Sequence, residues 1–382
     1  MTTTDPVRYI RVKIEDFPFA PANRAYGNVA ILGLATPPAT PPDTFVQPNV
    51  PTLFTDVNDA RTLATGPLGE AVATALVQEP GPSEVWAVRL ADSSDGALDA
   101  ALARVATLNV QLVAVANTPL VRTSGDDEQS APTPAIVKLA EHVDAVAGDG
   151  MERIGVAMLG KGDTNPGIVE GKLATERMVY VAHKSDEDVA AAVAGTIAGY
   201  EPHISLLLKQ VKVSSEPFSA QDVLTINGAE GENSGGPGGQ GVNWLVDPPL
   251  IPGKGVFLGE GYTGNAKPGG KKYIDIVRTV DDITFRLKAQ LIGSIGNLRI
   301  SRAGLRGLVA EMETVLEPLR RAAVIDSYEI VLPILVLLDK PQPTPQEENL
   351  IKKARAERAV EALVRITYAG AVHRINITLK FE

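Results

Sequence analysis

The chain has 382 residues, of which 44% are hydrophobic, and it carries a formal net charge of −10. Its length suffices for about two or three domains. The acidic balance argues against direct nucleic-acid binding, which needs a basic face for the phosphates. The absence of cysteine excludes disulfides, iron–sulfur clusters and thiolate zinc sites. We also expect no membrane insertion, because no apolar run approaches the ~18–20 residues of a span. We expect no signal peptide, because residues 1–6 are polar and lead directly into a strand pattern.

Both ends of the chain have the pattern of a β-strand with one buried face. Apolar and polar residues alternate over residues 7–14 and again over 374–381, and a period of two is typical of a half-buried strand. The positions that this pattern turns inward are Ile10, Val12, Ile14, Ile375, Ile377, Leu379 and Phe381. Neither segment has a hairpin partner in the adjacent sequence. Chain ends fray unless something holds them, so both predicted strands need partners elsewhere.

Between these ends, short apolar strands alternate with amphipathic or alanine-rich helices. We predict strands at 27–34, 85–90, 110–115, 154–159 and 178–182, and helices at 56–76 (interrupted at Gly66-Pro67), 96–108, 136–146 and 186–200. Strands that alternate with helices of this length favour a mainly parallel sheet, covered on both faces.

The sequence pattern of the rest of the chain, from residue 228 onward, indicates a compact α+β unit. A glycine-rich loop is predicted at 228–241, and a second glycine-rich stretch at 259–272. The elements predicted after them are a strand at 273–277, helices at 281–296 and 301–322, a strand-like run at 328–338 and a proline-rich loop at 340–350. Ser301 is the expected N-cap of the second helix, and Pro333 inside the apolar run favours an edge strand or bulge.

We find no motif that carries catalysis or holds a cofactor or metal. The glycine tracts match neither G-x-x-x-x-G-K-[ST] nor a G-x-G-x-x-G between a strand and a helix. No G-x-S-x-G nucleophile elbow occurs, and no serine is placed near a base by a local motif. The four histidines (His142, His183, His203 and His373) show no metal-ligand spacing, and we expect them to be surface or half-buried side chains. The acidic run 186–188 is best explained by capping of the following helix.

A collinear series of weak motifs resembles the contractile tail sheath protein family along nearly the whole chain. The matching segments are GNVAILG (27–33), VPTLFTD (50–56), PLGEAV (67–72), VWAVRL (85–90), LNVQLVA (108–114), the alanine-rich helix that ends before Pro202, LTING (224–228), GYTG (261–264), IVRT (276–279), and DDI (281–283) followed by Leu287 to Leu291. One departure is Arg278-Thr279, where the family has an Arg-Arg pair. The chain is also short for a sheath protein, which suggests few decorating domains.

The resemblance implies an α/β sheath-type outer domain plus an α+β C-terminal domain, with extended N- and C-terminal β-strand arms. On this basis we expect an arm at residues 1–20, the α/β domain at 21–254, the C-terminal domain at 255–370 and a second arm at 371–382. It implies a structural subunit, not an enzyme, that forms stacked hexameric rings around an inner tube and drives that tube through a cell envelope. The expected partners are other copies of itself, the inner tube protein, and the baseplate and tail terminator proteins. The expected location is a virion tail or injection particle assembled in the host cytoplasm.

In this family the arms add strands to sheets of neighbouring subunits, and the terminal strand patterns fit that role. Arg320 and Arg321, at the end of the helix predicted at 301–322, are candidates for contact with an acidic tube face. They equally suit the negative end of that helix. The alternative that remains open is an α/β enzyme or small-molecule-binding protein with a glycine-rich active-site loop at 228–241.

Overall fold

The computed structural model describes residues 27–121, 131–228, 239–248, 250–251, 255–265 and 271–373. They fall into two compact units. The larger unit includes the described residues up to Asp282, together with 322–327 and 366–373, and the smaller one includes 283–321 and 328–365. None of the helices in these ranges is long and apolar enough to cross a membrane.

The strands among the described residues are β1 (Val29–Gly33), β2 (Pro51–Phe54), β3 (Val85–Arg89), β4 (Leu112–Pro119), β5 (Ile154–Met158), β6 (Met178–Ala182), β7 (Gln210–Val211), β8 (Val242–Val246), β9 (Val256–Leu258), β10 (Ile325–Val331) and β11 (Leu363–Tyr368). The helices in the same ranges are α1 (Val57–Leu63), α2 (Pro67–Leu76), α3 (Asp95–Ala106), α4 (Pro134–Gly148), α5 (Val189–Gly199), α6 (Ala220–Asn227), α7 (Ile274–Ile292), α8 (Arg302–Arg321), α9 (Pro333–Asp339) and α10 (Pro345–Glu357). Two short 3₁₀ turns lie at Pro166–Ile168 and Gly171–Leu173.

The larger unit is built on one sheet of nine described strands in the order β2-β3-β1-β4-β5-β6-β8-β9-β7. The six strands from β3 to β8 in this order run parallel. At the two sides of the sheet, the pairs β2–β3, β8–β9 and β9–β7 are antiparallel. In the centre, Val29 of β1 lies opposite Val85 on one side and Leu112 on the other. This sheet confirms the prediction of a mainly parallel sheet.

Helices cover both faces of this sheet because its central strands are apolar at every position. All five residues of β1 are buried, as are all five of β5 and of β6. Ile31 packs in a core that includes α2 and α5, whereas Leu32 packs in a second core that includes α3 and α4. The helices α2 and α5 approach each other closely at Gly195, where a Cβ atom would lie 2.4 Å from the carbonyl oxygen of Ala75.

The smaller unit has its own apolar cluster, centred on Leu305, Met312 and Leu332. Helix α8 contributes the first two of these residues and is flanked by Ser301, whose hydroxyl accepts a hydrogen bond from the Gly304 amide. This confirms the predicted helix and its N-cap. Half-buried residues of α7, β10, α9 and β11 pack against the same cluster.

Three predicted elements in this part of the chain are wrong. The strand predicted at 273–277 is replaced by the start of α7 at Ile274. Ile274 and Val277, three positions apart, are both buried, and a short apolar run does not distinguish the helical period from the strand period. The run 328–338 is split into β10 and α9, with Pro333 at the first helical position, where its missing N–H costs nothing. The loop predicted at 340–350 contains the start of α10.

Helix α10 was missed even though its start signal is in the sequence. Thr344 and Glu347 form a capping box, in which each side chain bonds the backbone N–H of the other residue. The prolines around Thr344 favoured a loop, but Pro345 occupies the first turn of the helix, where proline is tolerated. The sequence Gly293 to Gly296, placed in a helix by the pattern, follows the end of α7.

Asp188 joins two elements of the larger unit. Its carboxylate caps α5 by accepting the Ala191 N–H (2.9 Å), and it also accepts the Asn117 N–H (2.6 Å) at the end of β4. Burial raises the pKa of this carboxyl group, against the hydrogen bonds that lower it. The predicted capping role of the acidic run 186–188 is therefore carried by Asp188.

We predict that Asp188→Ala destabilises the larger unit by about 2 kcal/mol, because it removes a helix cap and leaves the Asn117 amide without its acceptor. Asp188→Asn, which keeps one acceptor oxygen, should have a smaller effect. Urea unfolding followed by tryptophan fluorescence measures this directly, since Trp86 and Trp244 lie on β3 and β8. Equal midpoints for the wild type and Asp188→Ala would show that the cap contributes nothing.

Candidate site of subunit linkage

The predicted arm strands lie outside the described residues. This holds for the N-terminal positions Ile10, Val12 and Ile14 and for the C-terminal positions Ile375, Ile377, Leu379 and Phe381, so their role stays a prediction. His373 is the last described residue and directly precedes the predicted C-terminal strand. Two side-chain contacts hold the described segment that leads to it, from Tyr368 onward, within the larger unit.

The first attachment is the side chain of Tyr368, the last residue of β11. Its hydroxyl donates a 2.6 Å hydrogen bond to Oδ2 of Asp275, in the first turn of α7. The same hydroxyl lies 3.4 Å from the carbonyl oxygen of His203. Burial and the neighbouring Asp275 carboxylate raise the pKa of Tyr368, so the hydroxyl keeps its proton near neutral pH and remains a donor.

The second attachment is the imidazole of His373, whose two ring nitrogens both have partners. Nε2 lies 2.8 Å from Oγ of Ser205, and Nδ1 lies 3.2 Å from Oε2 of Glu260. The ring also meets Tyr273 edge to face, at 4.9 Å between centroids. Only 14% of the His373 side chain and 7% of the Glu260 side chain are exposed, so this contact is largely shielded from water.

Helix α7, which supplies Asp275 for the first attachment, is itself held by buried charges. Arg278 is 6% exposed, and its guanidinium donates to the carbonyl oxygens of Tyr200 (2.8 Å) and Glu201 (3.4 Å) just after α5. Burial lowers the pKa of Arg278 to about 10, so it stays charged at neutral pH. Asp281 forms an ion pair with Arg177, at 2.5 Å. The first part of α7 is therefore fixed within the larger unit.

Ser205, His373 and Glu260 have the relative placement of a hydroxyl–imidazole–carboxylate triad. The sequence did not predict this placement, because the three residues are far apart along the chain and no local motif surrounds Ser205. Hydrolysis also needs donors directed at a developing oxyanion. The amide of Leu207, two residues from Ser205, donates to the serine Oγ itself (3.3 Å). We interpret the trio as an attachment of the chain.

Two other histidines, His183 and His142, lie in buried or half-buried positions. His183 is buried, against the expectation of a surface or half-buried residue, with its ring between the Leu159 carbonyl (3.0 Å) and the Ser185 amide (3.2 Å). Burial and the charge of Arg153 lower the pKa of the half-buried His142 to about 4. In the described parts of the chain, no group of His, Asp and Glu side chains could hold a metal ion.

Strands β10 and β11 form a separate two-stranded sheet. Ile330 and Val364 pack against the apolar cluster of the smaller unit, whereas Leu363 and Ile366 are 48% and 36% exposed. Within the described residues each strand has one strand neighbour, so each has an edge with no strand beside it. Unpaired edges of this kind accept added strands.

Arg320 and Arg321 both bond to one acidic side chain at the end of α8. Arg320 donates to both carboxylate oxygens of Glu317 (2.8 and 2.7 Å), and Arg321 donates to one of them (3.0 Å). Hydrogen bonds from Arg320 and Arg321 lower the pKa of Glu317 to about 2, so it is ionised at neutral pH. The three side chains together carry one net positive charge, less than the two arginines alone.

No protein-family model matches this chain, and no curated protein matches its sequence. Solved structures of contractile machines do match its fold. A chain in the six-fold symmetrised baseplate of the anti-feeding prophage is 14% identical, with both chains covered completely and a TM-score of 0.67. The contracted sheath complex of the extracellular contractile injection system PVC is 12% identical over 100% of this chain and 99% of that one (TM-score 0.65). The sheath tail protein of Desulfitobacterium hafniense is 11% identical over 85% and 92% of the two chains (TM-score 0.58).

These matches confirm the expected resemblance at the level of the fold, along the whole chain. The matched assemblies are sheaths and baseplates and not enzymes. The alternative of an α/β enzyme with a glycine-rich active-site loop therefore has no support from the fold, and most of the loop, residues 229–238, lies outside the described residues.

We predict that Ser205 is not a nucleophile. A fluorophosphonate probe, which labels activated serines, should form no adduct with the full-length protein in intact-mass spectrometry, because the Ser205 hydroxyl bonds to His373 as an attachment and accepts the N–H of Leu207. A serine hydrolase of known activity is the positive control. An adduct that disappears in Ser205→Ala would contradict this interpretation and identify a reactive triad.

Proposed function

We propose that this protein is a structural subunit of a contractile tail sheath. In this proposal it polymerises as stacked hexameric rings around an inner tube, and contraction of the stack drives the tube through a target cell envelope. The observation that carries the proposal is the fold shared over the whole chain with sheath and baseplate components. Its partners are further copies of this chain, the inner tube protein, and the baseplate and tail terminator proteins. It resides in a virion tail or injection particle assembled in the host cytoplasm.

Size-exclusion chromatography followed by negative-stain microscopy of the purified full-length protein tests this proposal. Striated tubes or stacks of rings are expected. A compact, monodisperse dimer or tetramer that never forms larger assemblies would count against a sheath.

We propose the following layout along the chain: an N-terminal arm at 1–20, the α/β domain at 21–254 facing outward, the α+β domain at 255–370 facing the tube, and a C-terminal arm at 371–382. The nine-stranded sheet, whose strands lie between Val29 and Leu258, supports the α/β assignment. The helices of the smaller unit with β10 and β11 support the α+β assignment.

The arms link subunits by adding strands to sheets of neighbouring copies. A lone strand gains little stability by itself, since even a two-stranded hairpin is marginal in water. The exposed edges of β10 and β11 are suitable acceptors, because backbone N–H and C=O groups along an edge can pair with an incoming strand while alternate side chains set the register. Links of this kind keep subunits connected while the rings rotate during contraction.

We predict that removal of residues 374–382 gives a folded, soluble subunit that does not build sheaths, because the link between subunits is lost while the described fold is kept. Circular dichroism and thermal unfolding test the fold, and electron microscopy tests assembly. Long tubes from the truncated protein would refute the arm model.

A matched pair of substitutions separates the strand pairing from a general effect of the terminus. Ile377→Lys places a charge on the predicted buried face and should abolish assembly. Thr378→Lys places the same charge on the opposite face and should be mild, because a period of two directs the two side chains to opposite sides. Equal assembly of the two variants would show that no face of this segment is buried.

We also propose that Arg320 and Arg321 contact an acidic face of the inner tube. Their double charge reversal, Arg320→Glu with Arg321→Glu, should weaken co-sedimentation with tubes at low salt, and added salt should reduce the difference because it screens exposed charges. Glu317→Gln is the matched control. It frees both arginines from their shared carboxylate and should leave tube binding equal or stronger. Unchanged binding of the double reversal at low salt would discard this contact.

A further inference from the structure

We propose that His373 is a clasp that holds the root of the C-terminal arm on its own subunit and thereby presents the arm for donation to a neighbour. This inference rests on the proposed role of the segment after His373 as an inter-subunit strand. It assigns a function to a cluster that the sequence did not reveal, formed by Ser205, Glu260 and Tyr273 around the imidazole. We call these three residues the cradle.

The three cradle residues come from parts of the larger unit that are distant in sequence from the C-terminal arm. Ser205 lies between α5 and β7, Glu260 follows β9, and Tyr273 directly precedes α7. Tyr273 is supported in turn by Tyr262, with ring centroids 5.5 Å apart, and Tyr262 is fully buried. The imidazole therefore contacts three separate segments that the core already fixes.

The hydrogen bonds of the cradle specify one orientation of the imidazole. The Ser205 Oγ accepts the Leu207 N–H, so its own proton is available to donate to Nε2 of the ring. A carboxylate oxygen of Glu260 accepts, so Nδ1 is the ring nitrogen that donates its proton there, which leaves Nε2 to accept from the Ser205 hydroxyl. A ring turned over by 180° would place the carbon atoms Cδ2 and Cε1, and not the two nitrogens, near these partners. The cradle thus recognises the imidazole specifically.

Between its two attachments the chain is a short strap. Tyr368 is bound to Asp275 and His373 to the cradle, whereas Ala369 to Val372 are exposed, with Val372 at 77%. Gly370 has a φ of +70°, which lets the strap turn. If His373 left the cradle, the five residues 369–373 could extend by about 17 Å. The contact of His373 with the cradle therefore restricts the position from which the arm extends. Without that contact, the first residue of the arm could occupy many positions.

A fixed origin raises the local concentration of the arm at its acceptor edge. Linked binding partners gain from a short or rigid connection because fewer positions are explored, and a segment already placed loses less freedom on binding. Opening the clasp should leave the arm functional but less efficient. Loss of the clasp should therefore reduce the efficiency of assembly, whereas loss of the arm should abolish assembly.

Selective ¹⁵N labelling of histidine tests the clasp in the full-length, unassembled subunit. The chain has four histidines, and His373 is assigned by the signal lost in His373→Ala. At about pH 8.5, where a typical imidazole is neutral, we expect the Nδ1-protonated tautomer. Its signals should change in Ser205→Ala and in Glu260→Ala. An Nε2-protonated ring, or signals that neither substitution alters, would overturn the proposal.

Assembly supplies the functional test. His373→Ala should still form tubes, but the protein concentration needed for assembly should rise about three- to tenfold. Ser205→Ala should raise it less, and Val372→Ala, a change at an exposed position of the strap, should leave it unchanged. If His373→Ala assembles at the wild-type concentration while removal of residues 374–382 abolishes assembly, the clasp is wrong and the arm is right. If the truncated protein assembles, the arm itself is wrong.

Discussion

The complete burial of the central strands is the constraint on which the rest of this structure depends. Every position of β1, β5 and β6 is buried, so apolar surface must be covered on both sides of the sheet. Parallel neighbours require crossovers, and the crossover helices supply this cover. Helix α5 lies in one of the two resulting cores, where each residue from Val189 to Ala198 is buried. Because the core holds α5 in place, the C-terminal end of this helix also has a fixed position.

A series of polar contacts runs from that end of α5 to the end of the described chain. The carbonyl oxygens of Tyr200 and Glu201 hold Arg278, which places the start of α7. The same first part of α7 presents Asp275 to Tyr368. Each step is a side-chain hydrogen bond to a partner that the previous step has positioned. These side-chain hydrogen bonds hold the residues that precede the C-terminal segment in place.

This arrangement suits a subunit that remains linked to its neighbours while it moves. A core packed on both faces resists deformation, so subunits can move as rigid bodies while the connecting segments adjust. Single side-chain contacts, each worth little by itself, hold the described segment that ends at His373. The division between a stiff sheet and a lightly attached terminus is a physical basis for the proposed sheath role.

The sequence by itself determined the elements whose patterns are local. The alternation of apolar strands and helices predicted the parallel sheet, Ser301 marked the start of α8, and the acidic run predicted a cap that Asp188 provides. The sequence pattern misassigned the start of α7 as a strand, because a short apolar run is compatible with both the helical and the strand period. Only the tertiary structure brought His373 to Ser205 and Glu260, 168 and 113 residues away. A local period reports which face of an element is buried, but contacts over such separations depend on how the whole core packs.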